Sequence, residues 1–168
     1  MHSTFPMTAV ALTLGMAASF HATPLHAQVR DEKTITLALA VEAAAGAVAE
    51  CQAKGFAVSA TVLDRSGQIK TIQRADGAGP HTLNSSRRKA YTSASMRANS
   101  GAVMENAQKN PGAANLGQID GLLLVAGGVP IRVGNDVVGG IGVGGAPAGS
   151  IDEECATAGV KKISDRLK

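Results

Sequence analysis

Four side chains in the middle of the sequence have the chemistry to bind a ligand: Arg74, His81, Lys89 and Tyr91. His81 is the only histidine after residue 27, and it follows the loop "DGAGP" close to the start of an expected helix. Its imidazole can act as an axial metal ligand or a general base, or it can be an ordinary surface side chain. Lys89 is expected near the apolar side of that helix and Arg88 on its solvated side. The Tyr91 phenol can bond a carboxylate or a metal, or fill the edge of the core.

No complete catalytic or metal-binding constellation accompanies these residues. A single histidine leaves a His-dependent triad without an identifiable acidic partner. The two cysteines form no C-x-x-C motif and have no histidine beside them. The net charge of +3 is scattered along the chain and aromatic residues make up only 2% of it, which argues against a nucleic-acid interface. After residue 30 no segment resembles a membrane span.

A glycine-rich stretch near the end of the chain has the spacing of a dinucleotide-binding turn. Gly140, Gly142 and Gly145 spell G-x-G-x-x-G in "VVGGIGVGGAP". That fingerprint requires the glycines in the turn that follows a strand, whereas here the first of them lie inside the second strand of a predicted hairpin. Alternate residues of a strand share one face of the sheet, so Gly140, Gly142 and Gly144 predict a face without side chains. A ligand, a packed helix or a neighbouring subunit could lie against it, and Gly128 extends the same bare area.

The first 27 residues predict a secretory signal peptide. They contain no Lys, Arg, Asp or Glu, and an apolar run from Met7 to Ala18, too short to span a bilayer, is followed by "LHA" before residue 28. We therefore expect export to the periplasm or the extracellular space. A polar leader over 28–35 and one domain over 36–168 follow.

Cys51 and Cys155 both fall on apolar helix faces in the expected mature chain. Two cysteines in an exported protein can pair, and two buried free thiols fit the same pattern. The free thiols are the interpretation favoured at this point.

Hydrophobic periodicity and turn chemistry predict an α+β fold in the order α-ββ-α-α-βββ-α. Tight turns between strands imply a central antiparallel sheet of about five strands flanked by helices, with the two terminal helices side by side. The predicted helices cover about 37–54, 83–98, 101–109 and 151–167. The predicted strands include 56–63, 68–74, the apolar run "LLLVAGG" and a hairpin that turns at Gly134-Asn135-Asp136.

The ends and faces of two helices are also predicted. Thr36 is the expected N-cap of the first helix, and Val41 belongs to its buried stripe. Ser150 and Glu153 have capping-box spacing at the start of the last helix.

Several stretches together resemble the GlcG/HbpS family of haem-binding proteins, also known as the haem-degrading or DUF336 family. They are "VLDRSGQIKTIQRADGA", "RRKAYTSAS", "NPGAANLGQIDGLLLVAGGVPI" and "VVGGIGVGGAP", and the resemblance extends over about 36–167. It implies an antiparallel sheet with helices on its faces and assembly into homo-oligomers. Some members bind haem, and related domains occur beside corrinoid enzymes.

If the resemblance extends to haem, His81 is the expected axial ligand to the iron and Tyr91 the alternative. The propionates would then meet Lys89, Arg74 or the backbone near Gly128, Gly144 and Gly145. The resulting hypothesis is an exported, oligomeric protein that binds haem or another tetrapyrrole. One alternative is an enzyme or accessory factor acting on a small carboxylic acid, with His81 as general base. A third possibility is an assembly module whose glycine-rich strand packs against a neighbour.

Overall fold

A computed structural model describes residues 30–168, within which Glu32–Lys168 forms one compact unit. Its elements are α1 (Leu37–Ala53), β1 (Ser59–Asp64), β2 (Ile69–Arg74), α2 (His81–Met96), α3 (Ser100–Lys109), a 3₁₀ helix (Pro111–Gln118), β3 (Gly128–Val133), β4 (Asp136–Gly144), α4 (Gly149–Lys162) and a short 3₁₀ turn (Ser164–Arg166). The predicted signal peptide lies outside the described residues. No helix within 30–168 combines the length and the apolar character needed to cross a bilayer.

The four strands form one antiparallel sheet in the order β2-β1-β4-β3. Local turn chemistry explains both hairpins. The Asp64 carboxylate accepts hydrogen bonds from the backbone N–H groups of Ser66 and Gln68 at 2.9 and 3.0 Å, and Gly67 takes a φ of +79° that favours glycine. The second hairpin turns at Gly134, as the sequence predicts.

The sheet separates two layers of helices. Apolar residues alternate with polar residues and glycines along its central strands β1 and β4, and this alternation determines which helices pack on each face. Ala60 and Val62 of β1, with Ile141 and Val143 of β4, belong to the apolar core shared with α1 and α4. The opposite face of β1 is polar: Ser59 bonds Thr82 of α2 at 2.7 Å, and Thr61 bonds Ser86 at 2.8 Å. Helix α2 therefore lies against a face of hydroxyl groups and glycines.

Helices α1 and α4 lie side by side, as predicted, and a disulfide joins Cys51 to Cys155 between them. The preference for free thiols was wrong. Small residues allow the close approach: a side chain at Gly159 would overlap the backbone oxygen of Ala43, and one at Gly46 would come within 2.9 Å of Lys162 Cδ. At that separation the two sulfurs, both fully buried, come within bonding distance.

The predicted fifth strand does not form. Residues 122–127 of the run "LLLVAGG" are irregular, because side chains of neighbouring helices satisfy much of their backbone, and Gly128 then begins β3. Leu123 N donates to the Thr92 hydroxyl at 2.8 Å, and the Ser100 hydroxyl donates to Val125 O at 2.7 Å. Leu122 O accepts from the guanidinium of Arg88, which is half-buried rather than fully solvated. These contacts replace a ladder of strand hydrogen bonds.

Of three further local expectations, two are wrong and one is confirmed. Val41 is 40% exposed, because the buried stripe of α1 follows its alanines instead. The Ser150–Glu153 capping box is absent, since α4 begins at Gly149 and Glu153 turns away to contact Gly127 and the start of α3. The predicted cap by Thr36 is present, with its hydroxyl accepting from Leu39 N at 3.4 Å.

The bare glycine face is filled by α2. A Cβ atom at Gly142 would overlap Ser86 O and Ala90 N, and one at Gly140 would come within 2.7 Å of Ala90 O. Of the three occupants that the pattern permits, the structure shows a packed helix. No space for a ligand remains between β4 and this part of α2.

Candidate functional site

Three of the predicted site features lie at one end of the sheet. Arg74 and Gly144 are both in register with Ser59, on the two strands that flank β1. Ser59 bonds Thr82, the second residue of α2, and a Cβ at Gly145 would lie 3.2 Å from Thr82 Cγ2. His81 begins α2 and therefore lies at this same end, which we call the His81 end.

His81 is exposed, and its imidazole makes no hydrogen bond or ion pair within 30–168. The ring lies over Gly79, where a Cβ atom would come within 2.8 Å of it. Arg74 fixes the same loop by donating from Nε to Ala78 O at 3.0 Å. Neither ring nitrogen is therefore engaged by the described residues, and Nε2 is farther than Nδ1 from the Cβ position of Gly79. The described residues offer the imidazole no carboxylate, so nothing in this geometry favours the general-base alternative, which stays a prediction.

Lys89 has a buried partner of its own, the Asp152 carboxylate, which also contacts the loop beside Gly145. It is 4% exposed, and its ammonium donates to the Asp152 carboxylate at 2.6 Å. The other carboxylate oxygen accepts from Ala146 N at 3.0 Å. Burial raises the pKa of Asp152, while the Lys89 ammonium and the amides of Ala146 and Gly145 lower it again in part. A propionate contact with Lys89 stays a prediction, and it would have to compete with this pair.

Gly128 and Gly145 are also constrained by contacts within the protein. A side chain at Gly128 would overlap the backbone of Lys89, so the packing of β3 against α2 already explains why glycine is needed there. The Gly145 amide is one of the groups that lower the pKa of Asp152. Their roles towards propionates also stay predictions.

Tyr91 lies in a cleft apart from these groups. The cleft has a volume of about 600 Å³, and it is lined by Gly67, Gln68, Ile69, Arg87, Tyr91, Asp120 and Gly121. The sequence assigns no site role to Arg87 or Asp120, although both lie in stretches that carry the family resemblance. Only the fold brings the segment around 120 against α2.

A larger cleft of about 1060 Å³ lies between α3 and α4. The Glu153 carboxylate accepts there from Asn99 Nδ2 at 2.9 Å, from Gly127 N at 3.2 Å and from Gly101 N at 3.3 Å. A carboxylate suits the positive end of α3, so Glu153 replaces the cap that the helix otherwise lacks. No group of three or more His, Cys, Asp or Glu side chains within 30–168 could hold a metal ion.

The family follows from comparison with known proteins. The model of the family described as "Haem degrading protein HbpS-like" matches residues 35–161. The chain belongs to the HbpS-like family. This confirms the resemblance that the sequence stretches indicated.

Solved structures of HbpS-like proteins share the fold. The crystal structure of HbpS has 37% sequence identity and a TM-score of 0.76, covering 80% of this chain and 93% of that one. The Klebsiella pneumoniae protein ORFY, a DUF336 protein, has 26% identity and a TM-score of 0.78, covering 84% and 98%. The PduOC–haem complex, at 18% identity and a TM-score of 0.69, covers 77% and 95% and shows the fold alone. A search of curated protein sequences gave no match.

Proposed function

We propose that this chain is an exported, oligomeric protein that binds haem or a closely related tetrapyrrole. The observation that carries the proposal is membership of the HbpS-like family over 35–161, a family described as haem-degrading. The relative PduOC, which has the same fold, was crystallised as a haem complex. Nothing in the proposal requires haem turnover by this chain.

The His81 end offers the donor chemistry that haem iron requires. An exposed imidazole with both nitrogens unengaged is a suitable axial ligand, and bound haem would supply redox and ligand-exchange chemistry at its iron. His81 and Arg74 both lie on an exposed surface. An apolar porphyrin face on such a surface needs cover from elsewhere, and a second copy of the chain would provide it. This is the physical reason for joining the haem and oligomer proposals.

Two observations support export. The first 27 residues have the composition of a secretory signal peptide, and the mature domain carries a buried disulfide. Disulfides form and persist in oxidising compartments and are rare in the cytosol. Fractionation of the producing cells, with N-terminal sequencing of the exported protein, tests this part.

A haemin titration tests the haem proposal. We expect wild-type mature protein to give a saturable Soret change, and His81→Ala to weaken haemin binding at least about tenfold, equivalent to about 1.4 kcal/mol. Tyr91→Phe tests Tyr91 as the alternative axial ligand. Gln108→Ala, an exposed change on α3, is the control. If the wild type gives no saturable change, the function is wrong. If His81→Ala binds as the wild type does, only the ligand assignment fails. Light scattering with and without haemin measures the oligomer.

A further inference from the structure

The Tyr91 ring is held between two turns from distant parts of the chain. Gly67, in the β1–β2 turn, has a φ of +79°, and a Cβ atom there would lie 2.9 Å from Cε2 of the ring. Gly121 has a φ of +87°, and its Cβ would lie 3.0 Å from Cε1. Both turns therefore approach the ring as closely as glycine permits. The ring has a fixed orientation in the cleft before any ligand arrives, which reduces the entropy cost of binding.

Groups with open hydrogen-bonding capacity surround this ring. The Tyr91 hydroxyl and the Asp120 carboxylate make no hydrogen bond within the described part of the chain. Arg87 makes one long contact, 3.4 Å to Asn84 Oδ1, at the exposed helix surface. Arg87 and Asp120 line the same cleft but do not form an ion pair with each other. The cleft thus presents a cation, an anion and a phenol to solvent.

We propose that this cleft binds a small zwitterion that carries both a carboxylate and an ammonium group. The Arg87 guanidinium matches a carboxylate in planar geometry, and the Tyr91 hydroxyl can donate to the same group. The Asp120 carboxylate accepts from the ammonium. One positive and one negative side chain line the cleft, so its charge complements a ligand of zero net charge. The volume of about 600 Å³ lies within the range of small-molecule sites.

The composition of the chain provides a reporter for this site. Tyr91 is the only tyrosine and there is no tryptophan, so tyrosine fluorescence comes from the cleft alone. We would titrate haem-free mature protein at low ionic strength with β-alanine, propionate and propylamine. These probes share a three-carbon skeleton and carry, respectively, both charges, the carboxylate only and the ammonium only. Calorimetry provides a second readout.

The expected result is saturable binding of β-alanine at least about tenfold tighter than that of either singly charged probe. Arg87→Gln should weaken β-alanine binding about tenfold, and Asp120→Asn should abolish the preference for β-alanine over propionate. Arg97→Gln and Asp76→Asn make the same charge changes outside the cleft and should have no effect. Added salt should weaken the binding, because the groups are partly solvated.

Three outcomes would overturn the inference: no saturable signal with β-alanine, equal affinity for the three probes, or unchanged binding in Arg87→Gln. None of them depends on haem, so the test stands whether or not the proposed function holds.

Discussion

At the residue scale, the Lys89–Asp152 pair is a buried ion pair that ties α2 to another part of the fold. Both side chains are nearly inaccessible, and their charged groups meet at 2.6 Å. The carboxylate also binds the loop before α4 through Ala146 N. The pair thus joins the helix that carries His81 and Tyr91 to the start of α4. The sequence indicates a lysine near the apolar side of α2, but its partner lies 63 positions away, and no local pattern could identify it.

We expect Lys89→Met to destabilise the protein by about 3 kcal/mol at pH 7, because it leaves a buried carboxylate without its counter-charge. The loss should be smaller near pH 4. Removal of the ammonium raises the folded-state pKa of Asp152 still further above its ordinary value of 3.8. A carboxyl group with a raised folded pKa contributes stability below its unfolded pKa and loses it as the pH rises through the folded pKa.

Urea unfolding at a series of pH values measures this effect. Lys109→Met is the matched control, because Lys109 forms an exposed pair with Glu105 and such pairs contribute little. A loss for Lys89→Met that is independent of pH would contradict the account, since it would indicate lost packing rather than an unpaired charge.

At the element scale, the contact between α2 and β4 determines the layered architecture. The alternating glycines predict a bare strand face, and the helix that covers it was one of three occupants the pattern allowed. Hydrophobic periodicity and turn chemistry were sufficient to predict the four helices and both hairpins. The apolar run from 122 was predicted as a strand because periodicity cannot distinguish a strand from a coil whose backbone is bonded by side chains such as Thr92 and Ser100.

The loss of stability on replacing a glycine with alanine should therefore depend on the atoms that the new methyl group contacts. Gly142→Ala places Cβ against the backbone of α2 at Ser86 and Ala90, which cannot move without the helix, and we expect a loss of about 3 kcal/mol or more. Gly144→Ala meets the Ser85 hydroxyl, a side-chain end that can rotate, and should cost less. Gly117→Ala, in the 3₁₀ helix outside the sheet, is the control: its Cβ has only ordinary contact, 3.6 Å from Leu124, and the change should be nearly neutral.

Thermal and urea unfolding of the three variants test this order. Equal stability of Gly142→Ala and Gly144→Ala would show that α2 can shift away from the sheet, contrary to the packing described above.

At the scale of the whole molecule, the disulfide joins the first helix of the domain to its last. It links residues 104 positions apart, so the whole sheet, α2 and α3 lie within the loop that it closes. The sequence allowed this pairing but did not select it, because the distance between two helix faces depends on the small residues that line them. Gly46 and Gly159 allow α1 and α4 to approach closely enough, and their role is visible only once the two helices are packed.

Removal of the cross-link should cost about 3–5 kcal/mol in unfolding free energy, because closing a loop of roughly 100 residues restricts the unfolded chain by about that amount. The double variant Cys51→Ala/Cys155→Ala tests this in urea, since it avoids unpaired thiols at the buried interface.

Alkylation gives an independent measurement: native protein from an oxidising compartment should take up no reagent until it is unfolded and reduced. Uptake of two equivalents on unfolding without reductant would mean that the thiols are free. A double variant as stable as the wild type would mean that α1 and α4 are held together by packing alone. The first result would also remove the structural support for export, whereas the second would leave that support intact.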